Sequence, residues 1–255
     1  MFVKGASKSK GRRKANPFAV HELNALFRWP IFTGAKSSTQ VNSPGYVIID
    51  DHRKWVPLVM LFTGARPSEV AQLTVDDIKE EDGYPYISIL TEYDPDDPDD
   101  ERDFIVSHKT ENAARKIPIH PDLERLGFLK YVERMKARRE ERLFPEWKLS
   151  SDPRKLYSSD SWVRNFNDKI ILGVIQGKPK PTLYSLRHTW KTQMAIHKVP
   201  PQYQNQLLGH AQQGMDEHYL GRLGIEHTYN AIKDIKFEGL DLSHLYQDSS
   251  ANTKS

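Results

Sequence analysis

An arginine, a histidine and a tyrosine stand at spacings that suit chemistry on a phosphate diester. Arg187 lies in segment 182–190 (TLYSLRHTW), His210 follows Leu208-Gly209, and Tyr219 comes nine residues after His210. A guanidinium group stays protonated and can hold two oxygens of one phosphate through its planar fork. A phenol becomes a nucleophile when nearby cations or an acceptor favour loss of its proton. These side chains could therefore bind a phosphodiester while Tyr219 attacks it.

Two basic residues earlier in the chain could complete such a site. Arg66 lies in segment 63–69 (TGARPSE) at the start of a predicted helix, and Lys109 stands at the end of a predicted strand beside a turn. A second guanidinium would stabilise the charge that builds on the phosphate oxygens during attack, and Lys109 could protonate a departing 5′ oxygen. Taken singly, each residue is most often ordinary surface, so only their combination points to a site.

The combination occurs in the order and spacing of a known family. The chain resembles the tyrosine recombinase (phage integrase) family over about residues 50–230, through four segments and a tyrosine: 64–69 (GARPSE), 109–110 (KT), 186–189 (LRHT), 208–210 (LGH) and Tyr219. A single LRH triplet would be a weak signal. Four segments in order, with the expected interval between histidine and tyrosine, form a specific one.

The resemblance implies a role for each residue of the set. Arg66, Arg187 and His210 would bind the scissile phosphate, and Lys109 would be the general acid for the leaving 5′ hydroxyl. Tyr219 would form a covalent 3′-phosphotyrosine link that a 5′ hydroxyl of another strand later reverses. Because that link conserves the energy of the broken bond, neither ATP, a metal nor any other cofactor is expected.

Two supporting residues are also implied. Glu69 would orient the site from the helix that carries Arg66. His188 matches the histidine that commonly follows the second arginine of the family, and it is expected to pack structurally.

Tyr184 departs from the family pattern, which usually has histidine three residues before the second arginine. A phenol can donate a hydrogen bond to a phosphate oxygen, but at neutral pH it is a poorer base than imidazole. The hypothesis is that Tyr184 donates a hydrogen bond on the phosphate side and that activity survives. Comparing cleavage of a suicide substrate by Tyr184→Phe and Tyr184→His tests this, and unchanged rates in both would remove Tyr184 from the mechanism.

Hydrophobic periodicity predicts a mainly α-helical chain with a small antiparallel β-sheet (α+β). Helices are predicted at 17–28, 54–63, 67–74, 122–143, 161–171, 185–197, 201–208, 215–220 and 227–235, and strands at 84–90, 104–107 and 115–119. The resemblance implies the same architecture for a tyrosine recombinase-like catalytic domain. The predicted organisation is a basic flexible arm (1–16), a catalytic domain (17–245) and a disordered tail (246–255).

Composition excludes several classes of protein. The 255 residues are 38% hydrophobic and 28% charged, which is ordinary for a soluble protein that buries a core. No apolar run approaches the ~20 residues of a membrane helix. No apolar segment follows the basic N-terminus, so a signal peptide is not expected. With no cysteine, disulfides and thiolate sites are excluded. A cytoplasmic protein of prokaryotic or phage origin is expected.

Charge is distributed unevenly along the chain. Residues 1–16 carry six basic side chains and no acid, whereas residues 92–103 carry eight acids and one arginine. The first stretch is compatible with an arm that follows DNA or with a solvated tail. The second has two prolines and no apolar pattern, which is typical of an exposed loop rather than of a metal site.

The expected partner is double-stranded DNA, on which the chain is expected to assemble as a homo-tetramer, with a monomer possible when free. A type IB topoisomerase-like enzyme and a non-catalytic DNA-binding relative stay open as alternatives. A hydrolytic nuclease is disfavoured, because no convincing cluster of metal ligands is present. The family usually has an N-terminal DNA-clamping domain, whereas only about fifty residues precede the first matching segment. A catalytic fragment or a protein without the clamp is therefore expected.

Overall fold

The computed structural model of the chain describes residues 16–90, 114–147, 159–175, 180–210 and 223–246. The α-helices in these ranges are α1 (Val20–Phe27), α2 (Pro30–Thr33), α3 (His52–Thr63), α4 (Pro67–Gln72), α5 (Pro121–Arg125), α6 (Phe128–Ala137), α7 (Ser159–Asn165), α8 (Leu172–Val174), α9 (Ser185–Ile196), α10 (Pro201–Leu208) and α11 (Ile225–Ile232). A π-helix (Phe166–Ile171) joins α7 to α8. Short 3-10 helices lie at Val75–Asp77 and Ser243–Leu245.

Helix α3 lies at the centre of the core. Nearly all of its side chains are buried, including Trp55 and Phe62, and it packs against α4, α5 and α9. A helix that is covered on every side cannot be amphipathic, and the apolar run of this segment reflects that position. The helix ends at Gly64, whose backbone is left-handed with φ 65°, as the sequence predicted for its C-terminus.

A three-stranded antiparallel sheet in the order β1-β2-β3 packs beside the helices. Its strands are β1 (Ile78–Glu81), β2 (Tyr84–Leu90) and β3 (Ala114–Pro118). The register places Ile87 opposite Ile78 on one side and Ile117 on the other, and all three isoleucines are buried. The sheet and the helices together confirm the predicted fold class.

Strand β1 was not predicted from the sequence. It joins β2 through the two-residue turn Asp82-Gly83, in which both residues have positive φ, 54° and 80°. An Asp-Gly pair is a strong hairpin signal. The charged residues of β1, however, left no clear alternation of apolar and polar side chains.

The prediction of one continuous helix over 122–143 is wrong. The chain instead forms α5 and α6, and Gly127 between them adopts a φ of 91° as the residue that precedes α6. Glycine reaches this left-handed conformation readily, which allows the chain to turn there. Helix α6 then ends at Ala137, and Arg139 also has a positive φ of 58°.

Helix α1 is attached to a segment near the end of the described chain. The Asn24 side chain donates to the Gly239 carbonyl at 2.8 Å and accepts from the Asp241 N–H at 2.9 Å. Arg28 forms an ion pair with Asp241 at 2.7 Å. The apolar side of α1 faces the core with Leu23 and Phe27, so both faces of the helix have distant partners.

Several predictions fall outside the described residues. They are the basic arm up to residue 15, the acidic stretch 92–103, the strand 104–107, Lys109, the helix 215–220 with Tyr219, and the tail from residue 247. None of the helices within the described ranges has the length and apolarity that crossing a bilayer requires.

Candidate active site

Arg66 is held where α3 passes into α4. It directly precedes Pro67, the first residue of α4, and its side chain is buried with 3% exposure. Glu69, one turn along, binds it twice: Oε2 accepts the Arg66 backbone N–H at 2.7 Å, and Oε1 accepts from Nη1 at 3.0 Å. Glu69 therefore fixes both the backbone and the guanidinium group of Arg66.

Arg187 joins three elements from the first turn of α9. Its Nη1 donates to the carbonyl of Gly64, and its Nη2 donates to the carbonyl of Leu208 at 2.8 Å. The same Nη2 lies 3.1 Å from Nε2 of His210. An arginine can only donate, so this histidine nitrogen is the acceptor and the ring proton resides on Nδ1. The end of α3, the start of α9 and the end of α10 thus meet at one guanidinium group.

Two glycines allow the ends of α3 and α10 to lie close to neighbouring side chains at this site. Gly64 and Gly209 end α3 and α10 with φ of 65° and 70°. A Cβ on Gly64 would lie 2.6 Å from Cδ1 of the buried Trp190, and a Cβ on Gly209 would lie 2.7 Å from Nη1 of Arg115. Both the left-handed backbone and the missing side chain are therefore needed at these turns.

Tyr184 and His188 lie side by side at the start of α9. Tyr184 directly precedes the helix, and its ring meets the His188 ring edge-on at a centroid distance of 5.2 Å. The preceding turn is fixed by the π-helix, because the side-chain oxygen of Asn167 accepts the Leu183 N–H at 2.8 Å. The structure places Tyr184 three residues before Arg187 on the same turn, while its role at a phosphate stays a prediction.

Arg115 was missed by the sequence reasoning, although it binds this cluster directly. Its Nη1 and Nη2 donate to the two oxygens of Glu69 at 2.7 and 2.6 Å. A usable signal was present in β3, where Arg115 and Ile117 alternate with an exposed lysine and so share the core-facing side. A charged residue at a core-facing position of a strand is informative, because burial requires a partner.

The site contains a cluster of four charged side chains whose charges do not cancel. Arg66, Arg115 and Arg187 carry three positive charges and Glu69 one negative charge, which leaves a net charge of +2 among buried groups. Burial lowers the pKa of Arg187, and the charge of Arg66 lowers it further, although an arginine stays protonated. Burial would raise the pKa of Glu69, but the charge and hydrogen bonds of Arg115, with the charges of Arg66 and Arg187, outweigh it and bring the pKa to about 2.

The low pKa of Glu69 predicts a loss of stability in acid. A carboxyl whose folded pKa lies below its ordinary value of 4.5 stabilises the fold above that value and loses this contribution as the pH falls towards 2. We expect Glu69→Gln to lower the free energy of unfolding at about pH 6 by about 3 kcal/mol, because it breaks a buried ion pair. The deficit should shrink by more than half at about pH 3.

Urea unfolding of both proteins across this range measures the deficit. Glu133→Gln is the matched control, since the Glu133 side chain is 70% exposed. Its deficit should be small at every pH. A deficit for Glu69→Gln that stays constant between the two pH values would contradict the ionised state of Glu69.

The described residues offer no group of three or more His, Asp or Glu side chains placed to hold a metal ion. The charged residues that the structure brings together are instead arginines with one glutamate. A cluster of this kind can bind an oxyanion through guanidinium groups. Of the predicted site residues, Arg66, Glu69, Arg187 and His210 meet here, and Lys109 and Tyr219 lie outside the described ranges.

Comparison with known proteins identifies the family. The sequence profile of the Phage integrase family matches residues 48–222, which is more than half of the chain. The chain belongs to the phage integrase family. The matched range covers the whole set of predicted catalytic positions: Arg66, Lys109, Tyr184, Arg187, His210 and Tyr219.

Two solved structures, of a site-specific recombinase and of a phage integrase, are similar in fold. A post-cleavage complex of the XerH site-specific recombinase with palindromic difH substrate is 15% identical, with a TM-score of 0.51, and the match covers 82% of this chain and 50% of that one. The integrase from mycobacterium phage Brujita is 16% identical, with a TM-score of 0.50, and the match covers 92% and 64%. The chain therefore spans less than two thirds of either protein. A comparison with curated protein sequences gives no significant match.

Proposed function

We propose that this phage integrase family member cleaves and rejoins DNA at specific sites through a covalent bond between Tyr219 and a 3′ phosphate. The observation that carries the proposal is the meeting of Arg66, Arg187 and His210 around the two glycine turns, with more positive than negative charge buried there. Family membership supports the same chemistry. XerH, whose solved complex contains its difH substrate, supports double-stranded DNA as the partner.

In the proposed reaction Tyr219 gives its phenolic proton to a water molecule, and the phenolate oxygen attacks the phosphorus atom. The new bond to phosphorus forms as the bond to the 5′ oxygen breaks, and Lys109 gives that oxygen a proton. Negative charge grows on the non-bridging oxygens, where Arg66 and Arg187 stabilise it. His210 and Tyr184 contribute hydrogen bonds on the phosphate side. In the second step a 5′ hydroxyl of another strand gives its proton to Lys109 and attacks the phosphorus atom. The bond to Tyr219 breaks, and the released phenolate takes up a proton from water.

The guanidinium groups suit this charge because they are in place beforehand. Arg187 is fixed by two backbone carbonyls and Arg66 by Glu69, so neither side chain must be ordered when DNA binds. Donors held rigidly in a site that excludes water stabilise developing charge far more than donors in water do. We further propose that four copies assemble on two DNA duplexes, as exchange between duplexes requires two cleavages in each.

A covalent adduct is the expected result that tests this function. Duplexes that bind the protein are selected from a random pool, and nicked versions of them trap the 3′ link because the short strand is lost after cleavage. Denaturing electrophoresis should show a protein–DNA adduct for the natural sequence and none for Tyr219→Phe. Tyr46→Phe is the matched control, since Tyr46 is fully exposed, and its adduct should be unchanged.

Other outcomes identify the alternatives. Selective binding without an adduct on any nicked duplex would favour a non-catalytic DNA-binding member of the family. Relaxation of supercoiled plasmid without strand exchange would favour a type IB topoisomerase-like activity. An adduct that persists in Tyr219→Phe would assign the nucleophile to another residue.

A further inference from the structure

We propose that Arg115 is a positioning residue of this site. By neutralising Glu69 it sets the positive charge that a bound phosphate experiences, and by holding the end of α10 it sets the position of His210. The inference rests on the proposed function for its catalytic consequence, and its test separates the two. Each of the three guanidinium nitrogens of Arg115 donates to a protein group, and we assign Arg115 no contact with DNA.

Burial of the Arg115 side chain is unfavourable for the stability of the fold. Its side chain is 5% exposed on the core-facing side of β3, opposite Ile89 of the neighbouring strand. Moving a guanidinium group out of water carries a penalty of several kcal/mol, and a well-packed apolar residue at such a site is often as stable or more stable. Stability alone therefore does not explain an arginine at this position.

The contacts of Arg115 join three elements. From β3, its Nη1 and Nη2 bind both oxygens of Glu69 in α4, and its Nε donates to the carbonyl of Leu207 in α10 at 3.0 Å. A two-pronged arginine–carboxylate pair fixes direction as well as distance. Arg115 thus orients the carboxylate that in turn holds Arg66.

The last turn of α10 is held by two arginines on successive carbonyls. Arg115 binds the carbonyl of Leu207, and Arg187 binds the carbonyl of Leu208. The final carbonyls of a helix lack intrahelical partners and carry the negative end of its dipole, so cations bind well there. His210 lies two residues beyond Leu208, and Gly209 between them leaves room for the Arg115 guanidinium.

Arg115 also determines how much positive charge the phosphate meets. The Arg115–Glu69 pair is neutral as a unit, which leaves the charges of Arg66 and Arg187 for the anion. Without Arg115 the Glu69 carboxylate would be balanced by Arg66 alone, and the net charge of the cluster would fall from +2 to +1. Removing both members of the pair would restore +2.

The catalytic test compares Arg115→Met and Arg115→Lys with the natural sequence on the selected nicked duplex. We expect the rate of adduct formation at saturating DNA to fall about 100-fold in Arg115→Met, because a small misplacement of reacting groups costs about that much. Because the rate is measured at saturating DNA, weaker binding of the duplex does not enter the comparison. Arg115→Lys, which keeps the charge without the fork, should recover part of the rate.

A second experiment does not require a DNA target site. Thermal unfolding with inorganic phosphate, against chloride at equal ionic strength, gives the affinity of the cluster for an oxyanion. We expect Arg115→Met to weaken phosphate binding about tenfold, as for loss of one unit charge about 10 Å away at an effective dielectric constant of about 20. The double variant Arg115→Met/Glu69→Gln should bind phosphate as the natural sequence does, yet stay slow in cleavage because the Leu207 contact is missing.

The outcomes distinguish the two proposals. Adducts from the natural sequence and from folded Arg115→Met at equal rates would overturn the role of Arg115 and leave the proposed function intact. No adduct from the natural sequence, with phosphate binding that depends on Arg115, would remove the function and keep the charge assignment. Phosphate binding that is absent, or not restored in the double variant, would overturn the charge assignment. If Arg115→Met fails to fold, Arg115→Lys and the double variant decide.

Discussion

Arg187→Lys should cleave the selected duplex about 1,000 times more slowly than the natural sequence does. One guanidinium group binds the Gly64 carbonyl, the Leu208 carbonyl and His210 together, and it is 4% exposed. A lysine ammonium cannot span these acceptors with planar geometry, and loss of one preorganised donor to a developing oxyanion costs about 100- to 1,000-fold. Single-turnover formation of the adduct at saturating DNA measures the loss.

The same chemical change at an exposed arginine is its control. Arg138 lies at the end of α6 with its side chain in solvent, and Arg138→Lys should keep the natural rate at saturating DNA. Urea unfolding of Arg187→Lys accompanies the kinetics, since weakened carbonyl contacts cost about 1–3 kcal/mol. A rate within tenfold of the natural one would place Arg187 outside the phosphate site.

Gly64→Ala should lower the free energy of unfolding by about 3 kcal/mol. Part of this loss comes from the left-handed backbone at φ 65°, where a Cβ is unfavourable by about 1 kcal/mol. The larger part comes from contact, because the new methyl group would lie 2.6 Å from the Trp190 ring and 2.8 Å from Cδ2 of Leu208. Trp190 is fully buried, so a shift of its ring would disturb the side chains packed around it. Urea unfolding at neutral pH measures the change.

Gly83→Ala separates the two contributions. Gly83 also has a positive φ, 80°, but a Cβ there would meet nothing within 4 Å. It should therefore cost only the backbone part, about 1 kcal/mol. Equal losses in the two variants would show that the side chains around Trp190 rearrange to accept the methyl group, so that close contact at Gly64 does not require glycine.

The sequence predicted most reliably what is encoded locally. Helix α10 begins at Pro201 and ends at Leu208 as predicted, since proline and glycine mark its two ends. Helix α9 differs from prediction only in its last residue, and α3 ends at Gly64 as expected. The motif around Arg187 was visible because its residues are neighbours in the chain.

What the sequence could not predict depends on contacts between distant residues. Arg115 and Glu69 are 46 positions apart, and Arg115 and Leu207 are 92 apart. No spacing rule joins such positions, so Glu69 could be assigned only a general supporting role. The break at Gly127 was missed for another reason: a strongly helical pattern on both sides concealed one glycine, whose φ of 91° only the folded chain reveals. The roles of Lys109 and Tyr219 stay predictions.

The attachment of α1 to residues 239–241 has a consequence for synthesis of the protein. The partners that hold Asn24 and Arg28 follow them by 213 to 217 positions. A ribosome adding about 5–20 residues per second makes those partners roughly 10–40 s after α1. During that interval Leu23 and Phe27 can be covered by the core, but the polar side of α1 has no native partner. Helix α1 therefore makes these polar contacts late, after the chain up to residue 241 has been made.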